Sequence, residues 1–213
     1  VDKIDNLLSL ANQLSASESK MYLAKIMKML LDEVALHDSD AREIELALCK
    51  RILEWSIREN KNFLKFRLQI RLANILYLRA EFSAARKEIE EVIKEAKEVD
   101  DKNLLVESHL LEAKLIYESQ NIPKAKAALT ACRANANKIY IQPVLHADIE
   151  KTAGILHLAE KDYRIAYSYF YEAFEAFHTN GEKKAALETY QYMLLAKIMQ
   201  VSIDDANNIV QGR

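Results

Sequence analysis

The sequence contains a repeat of about forty residues, and each copy is marked by an alanine three positions after an apolar residue. The alanines are Ala85, Ala125, Ala166 and Ala206, so neighbouring copies are 40, 41 and 40 residues apart. A period of this length is typical of solenoids, in which each repeat buries its apolar face against the next. We therefore predict an all-α fold, a right-handed solenoid of antiparallel helix pairs.

A second position in each repeat, twelve residues before the marker alanine, is small in three of the four copies. It holds Ala73, Ala113 and Gly154, and it holds Leu194 in the fourth copy. Small side chains at two fixed positions allow paired helices to approach closely, as in tetratricopeptide-like repeats. The positions that we expect in these close contacts are Ala73, Ala85, Ala113, Ala125, Gly154, Ala166 and Ala206.

Glycine and proline are rare, with only 3 Gly and 2 Pro among 213 residues. Average usage of about 7% Gly and 5% Pro would give several times more. Because β-hairpins need residues that tolerate positive φ, and only Asn180-Gly181 offers such a pair, the scarcity argues against a sheet protein. The glycines also lie too far apart for a glycine-rich phosphate loop, which excludes the common nucleotide-binding folds.

The forty-residue period predicts helices of about 16 to 18 residues, longer than those of a 34-residue repeat. Pro123 suits the first turn of one helix, and Asn180-Gly181 suits the end of another. We expect one solenoid over residues 1–213, with divergent helices in 1–61 and regular repeats in 62–213. The predicted helices span 18–36, 41–59, 62–80, 82–98, 103–119, 123–138, 144–160, 162–178 and 182–200, and a last one begins at about 203.

Side chains suited to catalysis or metal binding form no motif. The histidines lack the HExxH spacing of a helical zinc site, and the two cysteines lie in predicted helices, where buried and unreactive thiols are expected. No apolar run approaches the roughly 20 residues needed to cross a bilayer. We expect no catalytic, cofactor-binding or metal-binding residue, no cofactor and no small-molecule substrate. The residues considered are His37, His109, His146, His157, His178, Cys49 and Cys132.

A run of aromatic residues between positions 167 and 177 allows two interpretations. At helical spacing, part of the run forms a broad stripe that would pack between neighbouring helices. Alternatively, Tyr167 or Tyr169 lies at a surface that binds a partner. The predicted core stripe consists of Phe170, Tyr171, Phe174 and Phe177.

Positive charge is concentrated in residues 50–87, which hold ten basic and three acidic residues in a protein of formal net charge −2. Within this basic band, Arg67, Arg71 and Asn74 lie along a narrow strip of the predicted helix 62–80, between two apolar sectors, one of which includes Phe63. The strip is either a solvated edge or a docking site for an acidic partner on the concave surface. The candidate partner-binding residues are Arg58, Lys61, Lys65, Arg67, Arg71 and Asn74.

Two other uses of the basic band have less support in the sequence. A clamp for peptide carboxylates needs basic residues at matching positions of successive repeats, but the equivalents of Arg67 are Glu107 and Asp148. Nucleic-acid binding would also use the positive charge, yet aromatic and basic residues interleave only at 63–66. A nucleic-acid-binding helical-repeat protein that uses the band 50–87 nevertheless stays an alternative.

Four segments carry a family resemblance: DDKNLLVESHLLEAKLIY at 100–117, IPKAKAALTACRANANKIY at 122–140, KDYRIAYSYFYEAFEAF at 161–177 and YMLLAKIM at 192–199. Together they resemble the non-ATPase lid subunits of the 26S proteasome regulatory particle, a family that joins a helical-repeat solenoid to a C-terminal PCI module. The related signalosome scaffold subunits share a similar FxEAF-type segment and form an alternative within the same class.

The resemblance implies a non-catalytic scaffold that braces the lid, the ATPase ring and the core-particle α-ring during ubiquitin-dependent protein degradation. It implies other proteasome subunits as partners, and the cytoplasm and nucleus as the location. Because the first residue is Val and repeats fill the sequence, we expect a fragment of a longer protein, with the PCI module outside this chain.

Overall fold

The computed structural model describes residue 29, residues 41–59 and residues 61–200. These residues form eight helices joined by short turns, and they contain no β-strand. The predicted fold class, an all-α repeat of helix pairs, is confirmed. The helices are α1 (Ala41–Arg58), α2 (Asn62–Leu78), α3 (Phe82–Val99), α4 (Lys102–Glu118), α5 (Ile122–Ala136), α6 (Pro143–Ala159), α7 (Tyr163–Thr179) and α8 (Lys183–Met199).

The repeat register predicts the helix boundaries closely. Each described helix begins within one residue of its predicted start and ends within two residues of its predicted end. The predicted helix at 18–36, apart from residue 29, lies outside the described residues, as do the helix from about 203 and the marker Ala206.

Side chains fix the starts of two helices. The Asp101 carboxylate accepts hydrogen bonds from the amides of Asn103 and Leu104, at 3.0 and 3.2 Å, before α4. The Asn121 side-chain oxygen accepts one from the Lys124 amide, at 3.2 Å, before α5. These bonds satisfy amides that have no acceptor within the helix. Pro123 lies in the first turn of α5, as predicted.

Three helices end in a left-handed residue at the same point of the repeat. Ala80, Gln120 and Lys161 have φ angles of 61°, 59° and 66°. In each turn the amide of the next residue donates to a carbonyl five residues earlier, at 2.9 to 3.3 Å, which is the Schellman pattern of a helix end. Such positions usually hold glycine, as Gly181 does at the end of α7 with a φ of 78°. Most of the described helices therefore end without glycine.

The chain divides into two compact units, with the boundary between residues 94 and 95. In the first unit α1 packs against α2, and the buried side chains include Ile52, Trp55 and Leu72. In the second unit α4 packs against α5, α6 against α7, and α7 against α8. Helices joined by turns of three residues run antiparallel. The single solenoid over 1–213 stays a prediction.

The small repeat positions lie in the interior. Among the described ones, Ala73, Ala85, Ala113, Ala125 and Ala166 have no exposed surface, and Gly154 is also buried. This burial agrees with the reason for small residues there, which is close helix contact. None of the described helices combines the length and apolar character that crossing a membrane requires.

The predicted aromatic stripe is confirmed for three of its four members. Phe170 and Phe177 are buried in α7, and Phe174 packs beside them at the core. The prediction for Tyr171 is wrong, since that side chain is 49% exposed. Successive helical residues are rotated by about 100°, so the residue after a fully buried one turns away from the core.

Candidate functional site

Positive side chains gather where α1 ends and α2 begins. We call this surface the basic corner, and it consists of Arg58, Lys61, Phe63, Lys65 and Arg67. Backbone hydrogen bonds fix the turn, because the Lys61 amide donates to the Ser56 carbonyl and the Lys65 amide to the Lys61 carbonyl, both at 2.9 Å. Arg58 and Lys61 are exposed, and Lys65 is partly exposed.

An exposed aromatic ring lies among these cations. Phe63 is 62% exposed, and the Arg67 guanidinium lies over its ring at 4.7 Å from the centroid. The helical spacing predicts Phe63 in a buried sector of the helix, and that prediction is wrong. Its position in the first turn of α2 is the sequence signal that it lies beyond the packed part of the helix. Phe66, by contrast, is buried at 4% exposure.

The predicted strip along α2 is interrupted at its centre. Nε and Nη2 of Arg71 both donate to Oε1 of Glu45 in α1, at 3.1 and 3.0 Å. The Glu45 side chain is only 12% exposed and that of Arg71 only 23%. Arg71 therefore joins α1 to α2 and departs from the expected solvated strip, whereas Arg67 and Asn74 are exposed as expected.

Two other cations of the basic band have nearby carboxylates. Arg79 Nε lies 2.8 Å from Glu81 Oε1, and Arg86 Nε lies 2.7 Å from Glu90 Oε1. Within the part of the chain that the structure describes, no carboxylate pairs with Arg58, Lys61 or Arg67. Three cations of the band that lack a carboxylate partner within the described residues therefore lie together at the basic corner. Arginine beside an exposed aromatic ring is a composition typical of protein interfaces.

Both cysteine side chains are held in structural contacts. The Cys49 thiol donates to the Leu68 carbonyl at 3.5 Å, and the Cys132 thiol to the Val106 carbonyl at 3.3 Å. Burial raises the pKa of both thiols to about 12, which disfavours the nucleophilic thiolate. Over residues 41–59 and 61–200, no three His, Cys, Asp or Glu side chains are grouped so as to hold a metal ion.

The histidines are dispersed over the helices. His37 lies outside the described residues, and His146 and His178 are exposed. His109 is buried with Nδ1 2.7 Å from Glu112 Oε2. The His157 ring stacks on Tyr169 at 5.3 Å between centroids, and burial lowers the pKa of this histidine.

Similarity to known proteins covers the basic corner and the rest of the chain. Residues 1–80 match the family described as the 26S proteasome regulatory subunit RPN6 N-terminal domain. The chain is 42% identical over 194 residues to the 26S proteasome non-ATPase regulatory subunit 11 homolog of Arabidopsis thaliana, over 91% of this chain and 46% of that protein. The chain belongs to this family, the Rpn6 family. The Rpn6 family was thus correctly indicated by the four segments between residues 100 and 199.

Two fungal members of the Rpn6 family match along almost the whole chain. The probable 26S proteasome regulatory subunit rpn6 of Schizosaccharomyces pombe is 35% identical over 207 residues, 97% of this chain and 49% of that protein. The 26S proteasome regulatory subunit RPN6 of Saccharomyces cerevisiae is 34% identical over 215 residues, 100% of this chain and 49% of that protein. The chain spans about half the length of these curated relatives.

Proposed function

We propose that this chain is part of a non-catalytic scaffold subunit of the 26S proteasome regulatory lid, which braces the lid, the ATPase ring and the core-particle α-ring. Its partners are other proteasome subunits, its role belongs to ubiquitin-dependent protein degradation, and it acts in the cytoplasm and nucleus. The observation that carries the proposal is the similarity to proteins named as 26S proteasome regulatory subunits over 91–100% of the chain.

Within this function, the basic corner docks against an acidic surface of a partner subunit. Arg58, Lys61 and Arg67 bring positive charge that no carboxylate of the described residues neutralises. Complementary charge on a partner speeds association and sets its orientation. The exposed Phe63 ring supplies apolar area at the same place. Arg71 supports the corner from within, because its ion pair with Glu45 holds α1 against α2.

The proposal is tested by capture of the full-length parent protein from cell extract, followed by identification of the proteins bound to it. Subunits of the regulatory particle and the core particle are expected in stoichiometric amounts. Recovery of signalosome subunits in their place would favour that scaffold, and recovery of ribonucleoproteins that nuclease treatment releases would favour nucleic-acid binding through the band 50–87. Either of these results would contradict the proposal.

A further inference from the structure

The linker between α5 and α6 departs from the regular turns of the repeat. Six residues, 137–142, join these helices, whereas the other turns between described helices contain two or three. Helix α5 is also the shortest described helix, with 15 residues. Tyr140 in the linker is 88% exposed. Irregular connections on a rigid scaffold often carry binding residues.

A cavity of about 560 Å³ opens beside this linker, among α5, α6 and α7. We call it the linker pocket. Its size lies within the range of roughly 300–1,000 Å³ that is usual for sites binding small groups. Its lining includes Ile149, which is buried, Ile139 and Ile141, which are half-buried, and the rings of Tyr140 and Tyr169. The lining is therefore aliphatic and aromatic over much of its area.

Arg133, the one arginine among the pocket's lining residues, already forms hydrogen bonds with neighbouring side chains. Arg133 Nη2 donates to a Glu150 carboxylate oxygen, and Nη1 donates to the Tyr169 hydroxyl at 3.3 Å. Burial disfavours the charge of Arg133, but the bonds with Tyr169 and Glu150 more than offset this and raise the pKa of the guanidinium. The positive charge of Arg133 is thus balanced by the Glu150 carboxylate, which is itself buried.

A second carboxylate leaves the pocket with excess negative charge. Glu172 lines the cavity, is exposed, and stands three residues after Tyr169 on α7. Among the described residues it has no ion-pair partner. His146 on α6 also lines the cavity, with Nε2 3.8 Å from Glu150 Oε1. The carboxylate of Glu172 is therefore the one that an incoming group can reach and neutralise.

We propose that the linker pocket binds an arginine side chain presented by a partner protein. The aliphatic stem packs against Ile139 and Ile141, while the guanidinium stacks on the exposed ring of Tyr140 and pairs with Glu172. Guanidinium groups are planar, weakly hydrated and well suited to stack on aromatic rings, which favours arginine over lysine. This site lies in the second unit and prefers the opposite charge to the basic corner, so it adds a docking point beyond the proposed function.

The test titrates a capped Gly-Gly-Arg-Gly-Gly peptide into the isotope-labelled chain at pH 8 and low salt, observed by amide NMR. Matched peptides carry norleucine or glutamate in place of arginine. We expect saturable shifts in residues 137–142 and around Glu172, with binding at least about fivefold tighter for arginine than for norleucine. Glu172→Gln should weaken arginine binding by about two- to fivefold, the size of one exposed ion pair. Tyr140→Ala should also weaken it.

The control variant is Glu175→Gln, which removes an exposed carboxylate from the same helix outside the pocket lining and should leave binding unchanged. Melting curves show whether each variant remains folded. The proposal is overturned if the arginine peptide gives no saturable shifts, or if norleucine binds as tightly as arginine. Tighter binding of the glutamate peptide would overturn it as well, since it would make the pocket an anion site. No proteasome component enters this test, so its failure leaves the proposed function unaffected.

Discussion

The ring of Phe170 fills the space beside Gly154. A β-carbon built on Gly154 would lie 2.5 Å from Cε1 and 2.6 Å from Cδ1 of that ring. Phe170 has no exposed surface and stacks on Tyr192 with 5.3 Å between ring centroids, so little room is left for it to move. Glycine at this repeat position allows α7 to approach α6 more closely than any side chain would permit.

Gly154→Leu should therefore overpack the contact and lower the free energy of unfolding by about 1–3 kcal/mol or more. Urea unfolding followed by circular dichroism measures the change. Ala127→Leu, at an exposed position of α5, is the matched control and should stay within about 0.5 kcal/mol. In a double-mutant cycle, the effects of Gly154→Ala and Phe170→Leu should be non-additive. Gly154→Ala creates a clash with the Phe170 ring, and Phe170→Leu relieves it. Equal stability of Gly154→Leu and the wild type would contradict the repeat register.

At the left-handed helix ends, a substitution should raise the free energy of unfolding. Gln120 has a φ of 59°, a conformation that is strained for residues with a β-carbon and open to glycine. Gln120→Gly should raise the free energy of unfolding by about 0.5–1 kcal/mol, and Ala127→Gly in a regular helix should lower it by about the same amount. Thermal and urea unfolding give both values. If Gln120→Gly lowered the free energy of unfolding as Ala127→Gly does, this would argue against a left-handed residue at 120.

Loss of the Arg71–Glu45 ion pair should lower the free energy of unfolding, in addition to any effect on docking. Arg71→Gln leaves a mostly buried carboxylate without its cation, which should lower the free energy of unfolding by about 1–3 kcal/mol. Arg67→Gln, one turn earlier and exposed, should change it by less than about 0.5 kcal/mol. Comparable melting curves for the two variants would show that Arg71 is as solvated as Arg67.

Both cysteines should be unreactive in the native chain. Because burial raises the pKa of Cys49 and Cys132 to about 12, the folded state holds protons that the unfolded state releases near pH 9. The thiols therefore contribute stability that is fully present below about pH 9 and is lost as pH rises toward 12. Labelling with a thiol reagent at pH 8 should require unfolding, so its rate should rise steeply with urea. Rapid labelling of the wild type without urea, but not of Cys49→Ala or Cys132→Ala, would identify an accessible thiol.

Sequence patterns predicted the fold well because the same repeat register recurs along the chain. One alanine and one small residue per forty residues fix where paired helices touch, and from that the helix boundaries follow within two residues. Pro123 and Gly181 were predicted from local conformational preference alone. Ala80, Gln120 and Lys161 were not, since none of them is a residue type that favours the left-handed conformation.

The candidate site was predicted less completely because its features depend on contacts distant in sequence. Arg71 and Glu45 are 26 positions apart, and no pattern within one helix reveals that they pair. The exposure of Phe63 depends on how far the neighbouring helices extend. The linker pocket depends on the six linker residues, 137–142, that interrupt the repeat. Charge counting located the basic band, but only the structure shows that three of its cations without a carboxylate partner among the described residues lie together at the basic corner.

The docking role of the basic corner is tested by reversing its uncompensated charges. The variant Arg58→Glu, Lys61→Glu, Arg67→Glu spares the Arg71–Glu45 pair and should keep the wild-type melting curve. Its control, Lys97→Glu, Lys124→Glu, Lys184→Glu, makes the same change of charge at exposed positions elsewhere.

The deciding measurement is the affinity of the full-length parent protein for isolated core particle and isolated ATPase subunits, over a range of salt concentrations. The corner variant should bind at least one of them about tenfold more weakly and with a smaller salt dependence, while the control variant binds as the wild type does. Unchanged affinity of the corner variant for both, or an equal loss in the control, would contradict docking through the basic corner.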